Sequence, residues 1–144
     1  MKLLRQAGLQ GIGILALSLV GMGATWLLHP QLPPRDPMEL EEGEILLENA
    51  LALAEVTWID ARTEEAYAAD HIGDAILLNE DDWDQLFEAF ILQWSGDTTL
   101  VVYCDNRNCS ASKSVAVRLR ESLGIDSVYV LKGGWQTWLD YRER

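Results

Sequence analysis

Beyond residue 38, short apolar runs alternate with segments of helical periodicity, and this alternation constrains the fold more than any other feature of the chain. It is typical of βαβ units, in which successive strands form a parallel sheet. The pattern predicts strands at 56–59, 75–78, 99–103 and 127–131, and helices at 64–69, 82–94, 110–123 and 135–141. Acidic and apolar residues over 39–52 predict a further amphipathic helix, which Gly43 disfavours. The predicted fold class is α/β, with a central, mostly parallel sheet flanked by helices.

The charge of the chain is unevenly distributed. Nine of the 11 basic residues and all 23 acidic residues lie beyond residue 30, which gives that part a net charge of −14. Such a surface repels phosphate backbones and anionic headgroups. Nucleic-acid binding and polybasic membrane docking are therefore poor hypotheses, and a basic or neutral partner fits better.

An uncharged run at residues 7–28 precedes the acidic part. As a helix it would span about 33 Å, enough to cross a membrane. Lys2 and Arg5 before it predict a cytoplasmic N-terminus, so the domain that follows would lie outside the cytoplasm. The alternative is a cleaved signal peptide, for which Gly21 and Gly23 could precede the cleavage site.

With 144 residues, the chain has room for one domain and a short extra segment. The predicted organisation is a membrane anchor or signal peptide over 1–29, a linker over 30–38 and a domain over 39–144. Four prolines make the linker semi-extended: Pro30, Pro33, Pro34 and Pro37.

Cys104 ends the third predicted strand, and the next helix begins near Ser110. In open α/β sheets, ligands bind at the carboxyl ends of the strands. A loop there can direct N–H groups inward, and the positive end of the following helix favours a thiolate. Cys104 is thus a candidate nucleophile, with a buried structural cysteine as the alternative.

Five short segments now point to one family: WIDAR at 58–62, HIGDA at 71–75, VVYC at 101–104, CSAS at 109–112 and VYVLKGGWQTW at 128–138, with Tyr67 between the first two. In this order and spacing they resemble the rhodanese-like, single-domain sulfurtransferase family over roughly residues 45–141. The resemblance implies the rhodanese-like fold.

The resemblance also implies roles for individual residues. Cys104 would carry a persulfide, taking sulfur from a small donor and passing it to a thiol acceptor without a cofactor. Asp60 and Arg62 would form a pair that supports the active-site loop from below, and His71 would have a structural role. The loop that holds the anionic sulfur would comprise Asp105, Asn106, Arg107, Asn108, Cys109 and Ser110, and the closing turn Gly133, Gly134 and Trp135.

The sequence departs from the family pattern around the site. Cys109 stands where the family often has Arg or Thr, Asp70 replaces a glycine, and Gly73-Asp74 replaces a Pro-Gly pair. Arg107 is the one cationic residue of the loop and is opposed by Asp105, so dianionic thiosulfate should bind weakly and persulfides or thiols become better substrates. The related phosphatase chemistry needs an arginine where Ser110 stands, so a phosphatase is excluded.

Two other functions stay open. Cys104 and Cys109 could form a dithiol–disulfide pair that exchanges with a redox partner protein. The domain could instead be a non-catalytic binding module, since function resides in the site and this site is altered. No metal site is predicted, because two cysteines and the distant His29 and His71 lack zinc-site spacing.

Overall fold

The structure is a computed structural model that describes residues 39–105 and 110–144. The predicted membrane helix at 7–28 and the linker lie outside the described residues, as do loop positions 106–109. Within the described ranges, no helix has the length and apolar character needed to span a membrane.

Across the described residues, five strands and five helices alternate. The strands are β1 (Glu44–Ile45), β2 (Val56–Asp60), β3 (Ile76–Leu77), β4 (Thr99–Tyr103) and β5 (Val128–Leu131). The helices are α1 (Leu47–Leu51), α2 (Glu64–Ala69), α3 (Trp83–Gln93), α4 (Ser110–Leu123) and α5 (Gly134–Arg142). The strands form one sheet in the order β1-β5-β4-β2-β3, and every pairing is parallel. The predicted α/β fold with a central sheet is confirmed, and the sheet is all-parallel rather than mostly so.

The predicted helix over 39–52 is wrong. Its first half contains β1, which pairs with β5, and only Leu47–Leu51 is helical. Gly43 has a φ of +80°, a left-handed conformation that stops a helix, and its carbonyl accepts a hydrogen bond from Val130 N–H. Pairing at the sheet edge thus prevails over the apolar spacing of this segment.

The other predicted elements agree closely with the structure. Helices α2 and α4 and strand β4 have the predicted bounds, and strands β2, β3 and β5 and helices α3 and α5 differ from them by one residue at one or both ends. The burial of strand β4 accounts for its clear sequence pattern. It is buried on both faces, as central strands of parallel sheets are, with Leu100 and Val102 in one core cluster and Val101 and Tyr103 in the other.

Helices α3 and α4 supply side chains to the core cluster that contains Leu100 and Val102. Helices α1 and α5 supply side chains to the cluster that contains Val101 and Tyr103. Asp60, the last residue of β2, pairs in register with Tyr103, the last residue of β4. Because the strands are parallel, the residues that follow them emerge at one edge of the sheet. This edge holds Cys104 and the residues predicted to support it.

Candidate active site around Cys104

Cys104 follows β4 directly and is only 1% exposed. Its carbonyl oxygen accepts a hydrogen bond of 2.7 Å from the backbone N–H of Trp135, at the start of α5. Its side chain is disulfide-bonded. The one other cysteine of the sequence is Cys109, which lies outside the described residues. The cysteine is thus anchored to a neighbouring element through its own backbone.

Asp60 and Arg62 form a buried ion pair at the end of β2. The carboxylate accepts hydrogen bonds from Nε and Nη2 of Arg62, at 2.7–3.1 Å, and from the Arg62 backbone N–H at 2.9 Å. Asp60 is 0% and Arg62 6% exposed. Burial opposes the charged guanidinium, but the hydrogen bond and charge of Asp60 raise the pKa of Arg62 overall. A buried charge needs such pairing, so neither residue is available as a reactant.

Tyr103 joins this pair to the backbone of the next segment. Its buried hydroxyl is hydrogen-bonded to the Asp60 side chain and accepts a bond of 3.2 Å from Ile72 N–H. Burial raises the pKa of Tyr103, and the neighbouring Asp60 charge raises it further. The phenol therefore stays neutral and links the ends of β2 and β4 to residue 72.

Arg62 also contacts residues on both sides of Cys104. Its guanidinium carbon lies 4.3 Å from the centre of the Trp135 ring, a cation–π contact. Its Nη1 lies 3.9 Å from Oδ1 of Asp105, whose side chain is 65% exposed. The sequence suggested that Asp105 opposes the charge of Arg107. Within the described residues, the Asp105 carboxylate lies near Arg62. Arg62 thus carries one positive charge between the carboxylates of Asp60 and Asp105.

The other residues predicted to support the site are His71, Gly133 and Gly134. His71 Nδ1 donates to the Tyr67 carbonyl at 2.9 Å, and its ring stacks on the Tyr67 ring at 4.1 Å. Gly133 and Gly134 both have positive φ values, 81° and 58°, and carry the chain from β5 into α5. That turn delivers the Trp135 N–H to Cys104. A hydrogen bond and a ring stack thus hold His71 against Tyr67, and its structural role stays a prediction.

Sequence reasoning missed Asn79, which is 6% exposed just beyond β3. Its Nδ2 donates to the Arg62 carbonyl at 3.1 Å and so ties β3 to the ion pair. An asparagine directly after a predicted strand was the available signal. Of the predicted loop, Asp105 and Ser110 are described, and Ser110 is the exposed first residue of α4. Among the described residues, no group of three His, Cys, Asp or Glu side chains could hold a metal ion.

Solved structures with this arrangement of elements come from several bacteria. The N-terminal domain of a putative ATP/GTP binding protein from Clostridium difficile 630 is 25% identical, with a TM-score of 0.53, over 70% of this chain and 99% of that chain. The BH2092 protein from Bacillus halodurans is 22% identical, with a TM-score of 0.57, over 69% of this chain and 72% of that chain. These likenesses support the fold. The family profile described as rhodanese-like domain matches residues 45–141. The chain therefore belongs to the rhodanese-like domain family.

Proposed function

We propose that this domain is a sulfurtransferase that moves sulfane sulfur through a persulfide on Cys104. The observation that carries the proposal is the placement of Cys104 at the carboxyl edge of the sheet, with its carbonyl fixed by Trp135 N–H. Membership of the family supports a sulfurtransferase or a binding-module role. A cysteine held at the ligand-binding edge favours the first.

The proposed transfer has two displacement steps. The reduced Cys104 thiolate attacks the outer sulfur of a donor, an S–S bond forms, and the donor leaves with the electron pair of its broken bond. An acceptor thiolate then attacks the outer sulfur of the persulfide, and Cys104 is released as a thiolate. Asp60 and Arg62 position the strand ends and take no part in the bond changes. The loop at 105–110 would hold the anionic sulfur.

A thiol–disulfide redox function is the second candidate. The observation in its favour is that Cys104 is disulfide-bonded in the structure. In this function one thiolate of a dithiol partner would attack the disulfide, form a mixed disulfide and release one cysteine of the domain as a thiolate. The second thiolate of the partner would then displace the other cysteine, so that the partner leaves as a disulfide and the domain becomes a dithiol. The third candidate, a binding module, predicts neither sulfur loading nor disulfide exchange.

We also propose that the domain works outside the cytoplasm, tethered to the membrane through residues 7–28. The support is the uncharged run behind Lys2 and Arg5. A reporter enzyme that works only outside the cytoplasm should be active when it is fused after Arg144. Activity of a cytoplasm-specific reporter at the same position would contradict the proposed orientation.

Intact-mass measurement separates the candidate functions. The full chain, purified in detergent and reduced, should gain one sulfur after exposure to a sulfane-sulfur donor and lose it to an added thiol. Cys104→Ser should fold and gain none, because a hydroxyl is a far poorer nucleophile toward sulfur. Cys109→Ser should still be loaded. Sulfur transfer by Cys104→Ser, or no loading of any form, would refute the sulfurtransferase proposal.

A further inference from the structure

Strand β2 is longer than the strand at its outer side. All five of its residues pair with β4, whereas β3 pairs with Ile59 and Asp60 alone. Among the described residues, no strand runs beside Val56 on the β3 side. The outer edge of the sheet is therefore open along the first half of β2.

The open edge presents backbone groups in a fixed alternation. The Asp60 carbonyl accepts a hydrogen bond of 2.9 Å from Leu78 N–H, so the peptide groups of Asp60 face the β3 side. Alternate residues of a strand direct their N–H and C=O groups to the same side, so Trp58 and Val56 also face that side. The N–H groups of Val56 and Trp58 and the carbonyl of Val56 lie before the start of β3 along this edge.

A groove of about 580 Å³ lies beside these backbone groups. Its lining comes from β2, from the start of β3, from α2 and the residues just after it, and from the end of α3: Val56, Thr57, Ile76, Tyr67, His71 and Gln93. Spaces of this size accommodate ligands. The open part of β2 therefore borders a space that a ligand could fill.

A turn before β3 keeps the groove open. Ala75 N–H donates to the Ile72 carbonyl at 3.0 Å, and the Tyr67 hydroxyl donates to the Ala75 carbonyl at 2.7 Å. Asp74 has a φ of +62°, a left-handed conformation that bends the chain away from an extended path. The turn therefore does not continue β3 alongside Val56, and the exposed Asp74 lines the groove instead.

We propose that this groove binds an extended segment of a partner protein, which adds a strand beside residues 56–58 and carries a lysine or arginine near Asp74. An extended peptide is the ligand whose N–H and C=O groups repeat at the spacing of an open strand edge. Its side chains would point alternately to the α2 side of the groove, at His71, and to the α3 side, at Gln93.

The charge of the groove favours a basic segment. Of the described residues that line it, Asp74 is acidic and none is a lysine or arginine. Glu55, which directly precedes β2, is also exposed. A cationic side chain is attracted by this local charge and by the acidic surface of the domain, whereas both repel an acidic segment.

The groove and Cys104 lie at opposite edges of the sheet. Val56 is the first residue of β2, and Cys104 directly follows the last residue of β4. Because the strands are parallel, Val56 belongs to the amino edge and Cys104 to the carboxyl edge. A partner in the groove would leave the carboxyl edge open, so the proposal does not depend on sulfur transfer by Cys104.

Amide hydrogen exchange of the full chain in detergent tests the open edge. In the free protein, the N–H groups of Val56 and Trp58 should exchange at least about tenfold faster than those of Thr57 and Ile59, which face β4. Slow exchange of all four groups would overturn the inference, because the edge would already be paired. Protection that appears only at higher protein concentration would also overturn it, since a second copy would then occupy the edge.

A phage-displayed library of short random peptides is the binding probe. Peptides selected on the full chain and then synthesised should contain lysine or arginine and should slow exchange at Val56 and Trp58. In each of them, methylation of the backbone nitrogens that face β2 should weaken binding at least about tenfold, because these nitrogens can no longer donate. Methylation of the alternate nitrogens should have a much smaller effect. Equal effects of the two sets would contradict strand addition.

Three variants place the binding in the groove. Asp74→Asn tolerates the left-handed backbone and removes the charge, so it should weaken binding about fivefold. Asp126→Asn makes the same change in the exposed segment before β5 and should leave binding unchanged. Ser95→Trp changes an exposed lining residue and should abolish binding by filling the groove. Peptides that bind Ser95→Trp as well as the wild type, or a library without peptides that protect Val56, would overturn the inference.

Discussion

The backbone N–H of Trp135 donates to the carbonyl oxygen of Cys104 at 2.7 Å, while the Trp135 ring lies over the Arg62 guanidinium at 4.3 Å. One residue therefore connects the cysteine to the buried ion pair. The bond comes from the turn between β5 and α5, and the ring contact reaches the end of β2. Anything that moves this turn should move Cys104.

Trp135→Ala should slow sulfur loading of Cys104 at least several-fold, because loss of the ring frees both Arg62 and the turn. Trp138→Ala is the matched control, since Trp138 lies on the same helix and packs against Trp58 instead. Both rings are partly buried, and each truncation should cost about 2–4 kcal/mol of unfolding free energy. The rate of sulfur loading, measured under conditions where both variants are folded, should be lower for Trp135→Ala than for Trp138→Ala. Equal rates would contradict a role of Trp135 in positioning Cys104.

The Asp60–Arg62 pair should show strong coupling in a double-mutant cycle. Asp60→Ala or Arg62→Ala leaves a buried charge without its partner and should cost about 3–5 kcal/mol. The double variant should cost clearly less than the two single costs together, because no charge is left unpaired. The exposed Lys113–Glu41 pair is the control and should contribute no more than about 1 kcal/mol. Chemical denaturation of all six variants measures both cycles, and additive costs at Asp60 and Arg62 would argue against a brace.

Tyr103 should weaken the fold at alkaline pH. Its pKa is raised in the folded state, so the neutral phenol is favoured there, while an unfolded tyrosine ionises near pH 10. The contribution to stability is present below that pH and is lost as pH rises through and beyond it. Tyr103→Phe should cost about 1–3 kcal/mol near neutral pH, because Ile72 N–H loses its acceptor.

The two proteins should then converge as pH increases. Unfolding free energies of the wild type and Tyr103→Phe, measured from about pH 8 to about pH 11, should differ less at the alkaline end. Parallel curves over that range would mean that the Tyr103 hydroxyl does not stay protonated in the folded protein.

The sequence predicts the central elements well because their burial leaves a clear pattern. Strand β4 is apolar at every position from Leu100 to Val102, and α4 has buried residues at helical spacing, among them Val115 and Leu119. Strand β1 escaped prediction for a physical reason. It has two residues, and it exists because Gly43 and Ile45 accept hydrogen bonds from the β5 segment, a pairing about 85 residues away in sequence.

The site likewise has residues that the sequence predicts and contacts that it does not. Asp60 is the last residue of β2, Arg62 comes shortly after it, and Cys104 directly follows β4, so parallel topology alone brings all three to one edge. The contacts of Asn79 and Asp105 with Arg62 depend on the path of two connecting loops, which periodicity does not encode. Short loops after strands carry the polar residues of such sites, and their side-chain directions emerge only from the packed structure.

Asp105 should act against anionic donors, and its charge can be removed without disturbing the core because its side chain is 65% exposed. A unit charge at about 4 Å in water is worth about 1 kcal/mol, or roughly a fivefold change in binding. Asp105→Asn should therefore lower the KM for thiosulfate severalfold and leave the KM for an uncharged organic trisulfide nearly unchanged. Asp97→Asn makes the same charge change before β4, at the opposite edge of the sheet, and should alter neither value. Kinetics with both donors at low salt, repeated at high salt, provide the measurement. The difference should shrink as salt screens the charge. If Asp97→Asn improves thiosulfate use as much as Asp105→Asn does, the effect belongs to the net charge of the domain and Asp105 has no specific part in donor choice.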